Sequence, residues 1–182
     1  AKSLLAVPLR QPPYEPLGDL NISFEQRGEQ PTGYRRSLNL FDGVTSVEYH
    51  IDGVKYTRQM FVSYPDQVIV VRLTASRAHS LSFRVALSRT SDAESSVEPS
   101  FGEHTIVLRG KAMPPLTASG HGMAYADEPK TGASFTGAVR VTAQGGSFKT
   151  DKNALLVSGA DEATLVLAAA TDARAPDPDE QC

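Results

Sequence analysis

Tryptophan is absent from this chain of 182 residues, and the other aromatics are few, 7 Phe and 6 Tyr. Sugar-binding platforms stack pyranose rings on exposed aromatic faces, so the shortage counts against a carbohydrate module acting alone. Cysteine occurs once, as Cys182, which excludes an internal disulfide and a cysteine-built zinc site. Cations are not in excess: 18 Lys and Arg stand against 21 Asp and Glu, for a net charge of -3 and a pI of about 5.8. General nucleic-acid binding needs clustered cations to neutralise phosphates, and that class is excluded. The longest uncharged apolar run, Leu165 to Ala170, is far short of the roughly 20 residues of a membrane helix. No secretory leader is expected in the sequence as read, since the short apolar run after Ala1-Lys2-Ser3 breaks at Pro8. The chain does not begin with Met, and the expectation is a processed product or a piece of something longer.

What is present suits a folded domain. Apolar residues make up 40% and charged residues 21%, a balance that supports a core and argues against disorder throughout. The length fits one domain plus a tail, with residues 1–172 as the domain and the Asp- and Pro-rich residues 173–182 as a linker. Gly (14) and Pro (12) punctuate short runs of Val, Ile, Leu, Phe, Tyr and Thr, and no long stretch holds a helical period. This pattern predicts an all-β, antiparallel two-sheet β-sandwich with long connecting loops.

The sharpest unit is a hairpin at Asp52-Gly53, because a primed turn needs two residues that tolerate positive φ. It places Ile51 opposite Val54 and Tyr49 opposite Tyr56, with His50, Lys55, Glu48 and Thr57 on the other face. The inward phase continues through Met60, Val62 and Tyr64. Leu20, Ile22 and Phe24 alternate with polar neighbours, as do Leu38 and Leu40 before a second Asp-Gly pair, Asp42-Gly43. Gln67 to Leu73 is nearly all apolar and reads as a strand covered on both faces. Leu81, Phe83, Val85 and Leu87 alternate, Thr105 to Arg109 is β-branched, and Phe135 to Val141 runs toward a turn signal at Gly145-Gly146. Ala154 to Val157 and Thr164 to Ala170 bring the total to about ten strands. Ala1 to Val7 reads as the end of a helix stopped by Pro8. The stretches Ser88 to His104 and Gly110 to Ser134 read as long loops.

Catalytic signatures are scarce. There is no Gly-x-Ser-x-Gly elbow, no phosphate loop and no dinucleotide fingerprint. His50, His79, His104 and His121 are scattered without metal-ligand spacing, so neither a metal nor another cofactor is expected. His121, between two glycines in the second long loop, is the histidine to watch. The acids Asp42, Asp52, Asp92, Glu94, Glu98 and Glu103 sit beside turn glycines or in a polar loop, where solvated charge accounts for them. Asp19 follows a glycine at a strand start, and Arg35 and Arg36 open the next strand. The setting of these three predicts a structural or docking role, with Asp19 paired across strands to Arg35 or Arg36, in preference to a catalytic one.

Tyr14-Glu-Pro-Leu-Gly-Asp-Leu20, Tyr34-Arg-Arg-Ser-Leu38, Val54-Lys-Tyr-Thr-Arg58, Ser63-Tyr-Pro-Asp-Gln-Val-Ile-Val-Val-Arg-Leu73, Leu156-Val-Ser-Gly-Ala-Asp161 and Leu165-Val-Leu-Ala-Ala-Ala-Thr171 follow in order. Together they resemble the N-terminal domain of the glycoside hydrolase family 95 α-L-fucosidases, from about Pro12 to Thr171. The resemblance implies a secreted or periplasmic parent enzyme that hydrolyses α-linked fucose in fucosylated glycans with inversion. In such enzymes this β domain precedes an (α/α)6 barrel that holds the catalytic residues, so none is expected here. The implied role is to brace the barrel, with the 110–134 loop near the active-site mouth. The family's opening strands are not matched, and open sheet edges lead to an expectation of self-association. A stand-alone carbohydrate-binding or adhesin-type sandwich is the alternative, and an exposed aromatic platform would distinguish it.

Overall fold

Asp52 and Gly53 take left-handed backbone angles, φ 50° and 73°, as a two-residue primed turn requires. In the computed structural model they join β3 (Thr45–Ile51) to β4 (Val54–Ser63). Ile51 stands opposite Val54 and Tyr49 opposite Tyr56, and Tyr49, Val54 and Tyr56 are buried. Turn chemistry and two-residue alternation agree here. The structure describes residues 16–24, 30–89, 100–102, 104–111, 116–119, 122–125, 133–152, 154–172 and 177–182. The proposed helix end at Ala1 to Val7, His121, and Asp92, Glu94, Glu98 and Glu103 lie outside them.

The other strands are β1 (Asp19–Phe24), β2 (Thr32–Leu38), β5 (Val68–Ala75), β6 (Leu81–Ser88), β7 (Ser100–Gly102), β8 (Thr105–Lys111), β9 (Leu116–Ser119), β10 (Gly122–Tyr125), β11 (Ser134–Asp151) and β12 (Ala154–Thr171). All pairings among them are antiparallel. Ten strands form one sheet in the order β2-β3-β4-β5-β12-β11-β8-β7, with β6 attached to β12 and β1 to β6. The all-β antiparallel expectation holds. The expected division into two main sheets is replaced by one continuous sheet that curls over its own core. The remaining pair, β9 and β10, is a small separate hairpin inside the segment read as a loop. Strands of four residues are too short to show a period.

The curl originates in β11 and β12, each 18 residues long. The sequence suggests a turn at Gly145-Gly146 and two strands where β12 is one. Instead the glycines make a bulge. Gly145 pairs with Ala160 and Gln144 with Glu162, so Asp161 is the extra residue. Gly145, Gly146 and Gly159 take φ of 70°, 72° and 66°, open to glycine at little steric cost. One edge of β12 keeps β11 along its whole length. Its other edge holds β6 over Leu155–Ala160 and β5 over Glu162–Ala168. At the bulge β12 exchanges one partner for the other, so the two halves of the sheet face each other without separating. Val71 and Leu73 of β5 then meet Leu81, Phe83, Val85 and Leu87 of β6 in one buried cluster with Ile106, Val139 and Leu165. Burying such side chains contributes roughly 1.5–3 kcal/mol each.

Two expectations about coverage change. β5 lies between β4 and β12, but only its Val71 and Leu73 side is buried and Arg72 is exposed. Met60 and Val62 keep the inward phase of β4 and Tyr64 falls in the turn after it, yet the three are 44%, 69% and 84% exposed. The layer supplied by β1 reaches Arg58 through Phe24, and no described residue buries the strand beyond it. The second Asp-Gly pair closes a wider loop, Asn39 N to Val44 O at 2.9 Å. There Asn39 and Asp42 accept from the amides of Phe41 and Val44, and Leu40 and Phe41 project from the tip.

Candidate functional site

The predicted candidates lie on separate parts of the sheet. Asp19 opens β1 opposite Ser88 and is exposed. Arg35 faces Glu48, and Arg36 faces Val47, on edge strand β2. No ion pair joins Asp19 to either arginine among the described residues. Glu48 is bound by Lys55 at 2.9 Å. That hydrogen bond holds its carboxyl below the usual glutamate range, with Lys55 and Arg35 charge adding to the effect.

Several of the described carboxylates are occupied by structural work. Asp161, displaced by the bulge, accepts from the amide of His79 at 2.6 Å and ties the β5–β6 connection to β12. Glu162 takes two bonds from Arg72, at 2.9 and 2.7 Å, and this pairing lowers its pKa. Asp172 accepts from the amide of Ser134. Asp179 belongs to a short 3-10 turn, Pro178–Gln181, capped by Asp177. Its carboxylate accepts from Thr136 Oγ1 at 2.6 Å and Arg109 Nε at 2.7 Å. The Thr136 bond first, then Arg109, holds it below the ordinary aspartate range. A general acid needs the opposite displacement, a carboxyl pushed upward by burial.

Other reactive groups are equally committed. Burial pushes the Cys182 thiol up, which disfavours the thiolate that a nucleophile needs. His104 stacks on Phe148 at 3.8 Å, and the His79 ring meets Gly159 O at 3.1 Å. Among the described residues no three His, Cys, Asp or Glu converge on a metal position. A shallow depression of about 270 Å³ between β11 and β12 is lined by Thr142, Gln144, Glu162 and Thr164 with Ala143 and Ala163. Its one acid is the carboxylate already held by Arg72. Among the described residues the exposed aromatics lie apart: Phe41 at a loop tip, Tyr64 in a turn, Tyr34 on edge strand β2, and Phe61 in the outward phase of β4.

One cluster was not singled out from the sequence. Arg58 lies in the inward phase of β4, between Val47 of β3 and Leu73 of β5. Its guanidinium sits 3.9 Å over the Phe24 ring and donates to the Tyr49 hydroxyl at 2.8 Å. Tyr49 stacks on Tyr56 with centroids 5.4 Å apart. The available signal was a cation at an inward position of an otherwise apolar and aromatic alternation.

A family model, "Glycosyl hydrolase family 65, N-terminal domain", matches residues 2–176. "Alpha-L-fucosidase 2" of Arabidopsis thaliana is 32% identical over 172 residues, which cover 90% of this chain and 20% of that protein. Among solved structures, "Putative kojibiose phosphorylase from human microbiome" shares the fold, with a TM-score of 0.54 at 12% identity over 89% of this chain and 23% of that one. The chain thus spans about a fifth of the length of these relatives.

Proposed function

The chain belongs to the glycosyl hydrolase family 65 N-terminal domain family, and on that footing we propose that it is the non-catalytic β domain of a secreted, inverting α-L-fucosidase of the family 95 type. In the intact protein it braces an (α/α)6 barrel that carries the catalytic acid and positions the water. The observation that carries this reading is the 32% identity to "Alpha-L-fucosidase 2" along 90% of the chain, well above the 12% to the phosphorylase. The internal chemistry supports it. Glu48, Glu162 and Asp179 are all held as carboxylates by donors, which suits a scaffold and not a proton donor. A fucosylated glycan is then the substrate of the whole protein.

The test uses a 2′-fucosylated oligosaccharide. The 182-residue chain alone should release no fucose, and the parent polypeptide should release it with inverted anomeric configuration, read by proton NMR. Turnover by the chain alone overturns the scaffold reading. Retention of configuration, or release that requires inorganic phosphate, overturns the inverting-hydrolase reading.

A further inference from the structure

The inner face of the β2–β4 wing carries an apolar row whose outer members are uncovered and a cationic row that meets no described carboxylate. Residues opposite one another across paired strands share a face. The register therefore aligns Leu38, Thr45, Met60 and Val71 in one row, and Arg36, Val47, Arg58 and Leu73 in the next. Val62 opposite Ile69 extends the apolar side. Leu38, Met60 and Val62 are exposed although their phase is that of the core. Arg58 is inserted among aromatics, and its Nε is buried without an acceptor, a state that costs stability when nothing satisfies it. The paired residues of this face include two arginines and no carboxylate. No described acid forms an ion pair with either arginine.

We propose that this face is a docking surface for an apolar segment of the catalytic part of the same longer polypeptide, a segment that sets a carboxylate against Arg58. The inference rests on the scaffold reading above and names the surface through which the domain braces its partner. Three observations select this occupant. The bare residues continue a core phase, so they call for apolar cover. The unmatched charge is positive on both strands, so the cover must bring an acid. The relatives are about five times longer than this chain, so polypeptide to supply it exists in the family. A second copy is disfavoured, because a two-fold contact through this face would bring arginine rows together.

Met60 and Phe61 provide an internal comparison. They are adjacent on β4, lie on opposite faces, and are 44% and 40% exposed. Hydroxyl-radical labelling read by mass spectrometry should be run on the 182-residue chain and on the parent polypeptide. Phe83, 2% exposed, reports that each sample is folded by staying unlabelled. In the parent, Met60 labelling should fall to about a fifth, as expected for a residue moved into a dry interface, with Phe61 unchanged. Arg58→Met should raise Met60 labelling in the folded parent, and Arg58→Lys should raise it less. Protection of Phe61 in place of Met60 would overturn this surface while leaving the scaffold reading intact. Protection of neither would overturn this surface, and the scaffold reading would then stand or fall on the fucose-release test above. Met60 already protected in the monomeric chain, or protected only when that chain dimerises, would assign the cover to its own residues or to a second copy and overturn the proposal. An unchanged Met60 signal in folded Arg58→Met would remove the carboxylate.

Discussion

Replacing Gly146 and Gly43 by alanine, one at a time, isolates the close approach of main chains at the bulge. The two glycines share a backbone conformation, φ 72° and 70°. Holding an L-residue there costs roughly 1–2 kcal/mol at either site. Their surroundings differ. A Cβ on Gly43 would meet nothing within 4 Å, whereas on Gly146 it would lie 2.5 Å from Ser158 O, 2.8 Å from Ala160 N and 2.9 Å from Gly159 C. Those are main-chain atoms of a paired strand, so no rotamer change relieves the overlap, and moving the ladder adds about 1–3 kcal/mol. Gly43→Ala should therefore cost about 1–2 kcal/mol and Gly146→Ala about 2–5 kcal/mol. Urea unfolding measures the difference as a shift in midpoint at constant slope. In thermal melts each kcal/mol lowers Tm by about 2–4 °C for a chain of this size. Equal losses at the two sites would refute the packing of β11 on β12 at the bulge, and with it the account of how the sheet curls.

Phe83→Ala, at a residue 2% exposed with its ring centroid 5.9 Å from that of Phe24, should lose about 3–5 kcal/mol in urea unfolding. Glu162→Gln removes a two-bond ion pair whose side chains are 52% and 26% exposed, and double-mutant cycles with Arg72→Ala should give less than about 1 kcal/mol, declining with salt. Asp179 has a folded pKa below its unfolded value. Its contribution is therefore complete above the ordinary aspartate pKa of about 4 and lost as the pH falls through the lower folded value. Hydrogen-exchange protection factors at residues 177–182, corrected for the intrinsic slowing of exchange in acid, should fall over that range, and Asp179→Asn should remove most of the pH dependence.

The parts of the fold legible in the sequence are those decided by neighbouring residues. Asp52-Gly53 determines its turn through φ alone, and β6 shows its buried side because Leu81, Phe83, Val85 and Leu87 alternate without interruption. Gly145-Gly146 is ambiguous at that level, since positive φ serves a turn and a bulge equally well. The choice is made by what lies opposite. Gly159 and the displaced Asp161 accommodate the bulge, and β5 and β6 wait along one edge of β12. The merger of two expected sheets into one follows from that long-range arrangement. It is not written in any local window.

Edge strand β2 shows why the role of candidate residues was harder to read than their unusual setting. Every residue of the strand is exposed, and a free edge invites another strand. The register shifts between Thr32 and Arg35, where Gly33 takes φ 60°, and two arginines follow at once. A bulge and paired like charges both oppose addition of an identical edge, since antiparallel alignment of two copies brings cations together. The same residues leave an acidic strand or segment unopposed. Arg35 and Arg36 were candidates from the start, but their meaning depends on β2 being terminal in the sheet and on Arg36 sharing a row with Arg58. Only the pairing of β2 with β3, and of β3 with β4, supplies that. The acidic partner proposed above and a penalty on pairing two copies of this edge would both follow from that one arrangement of charge.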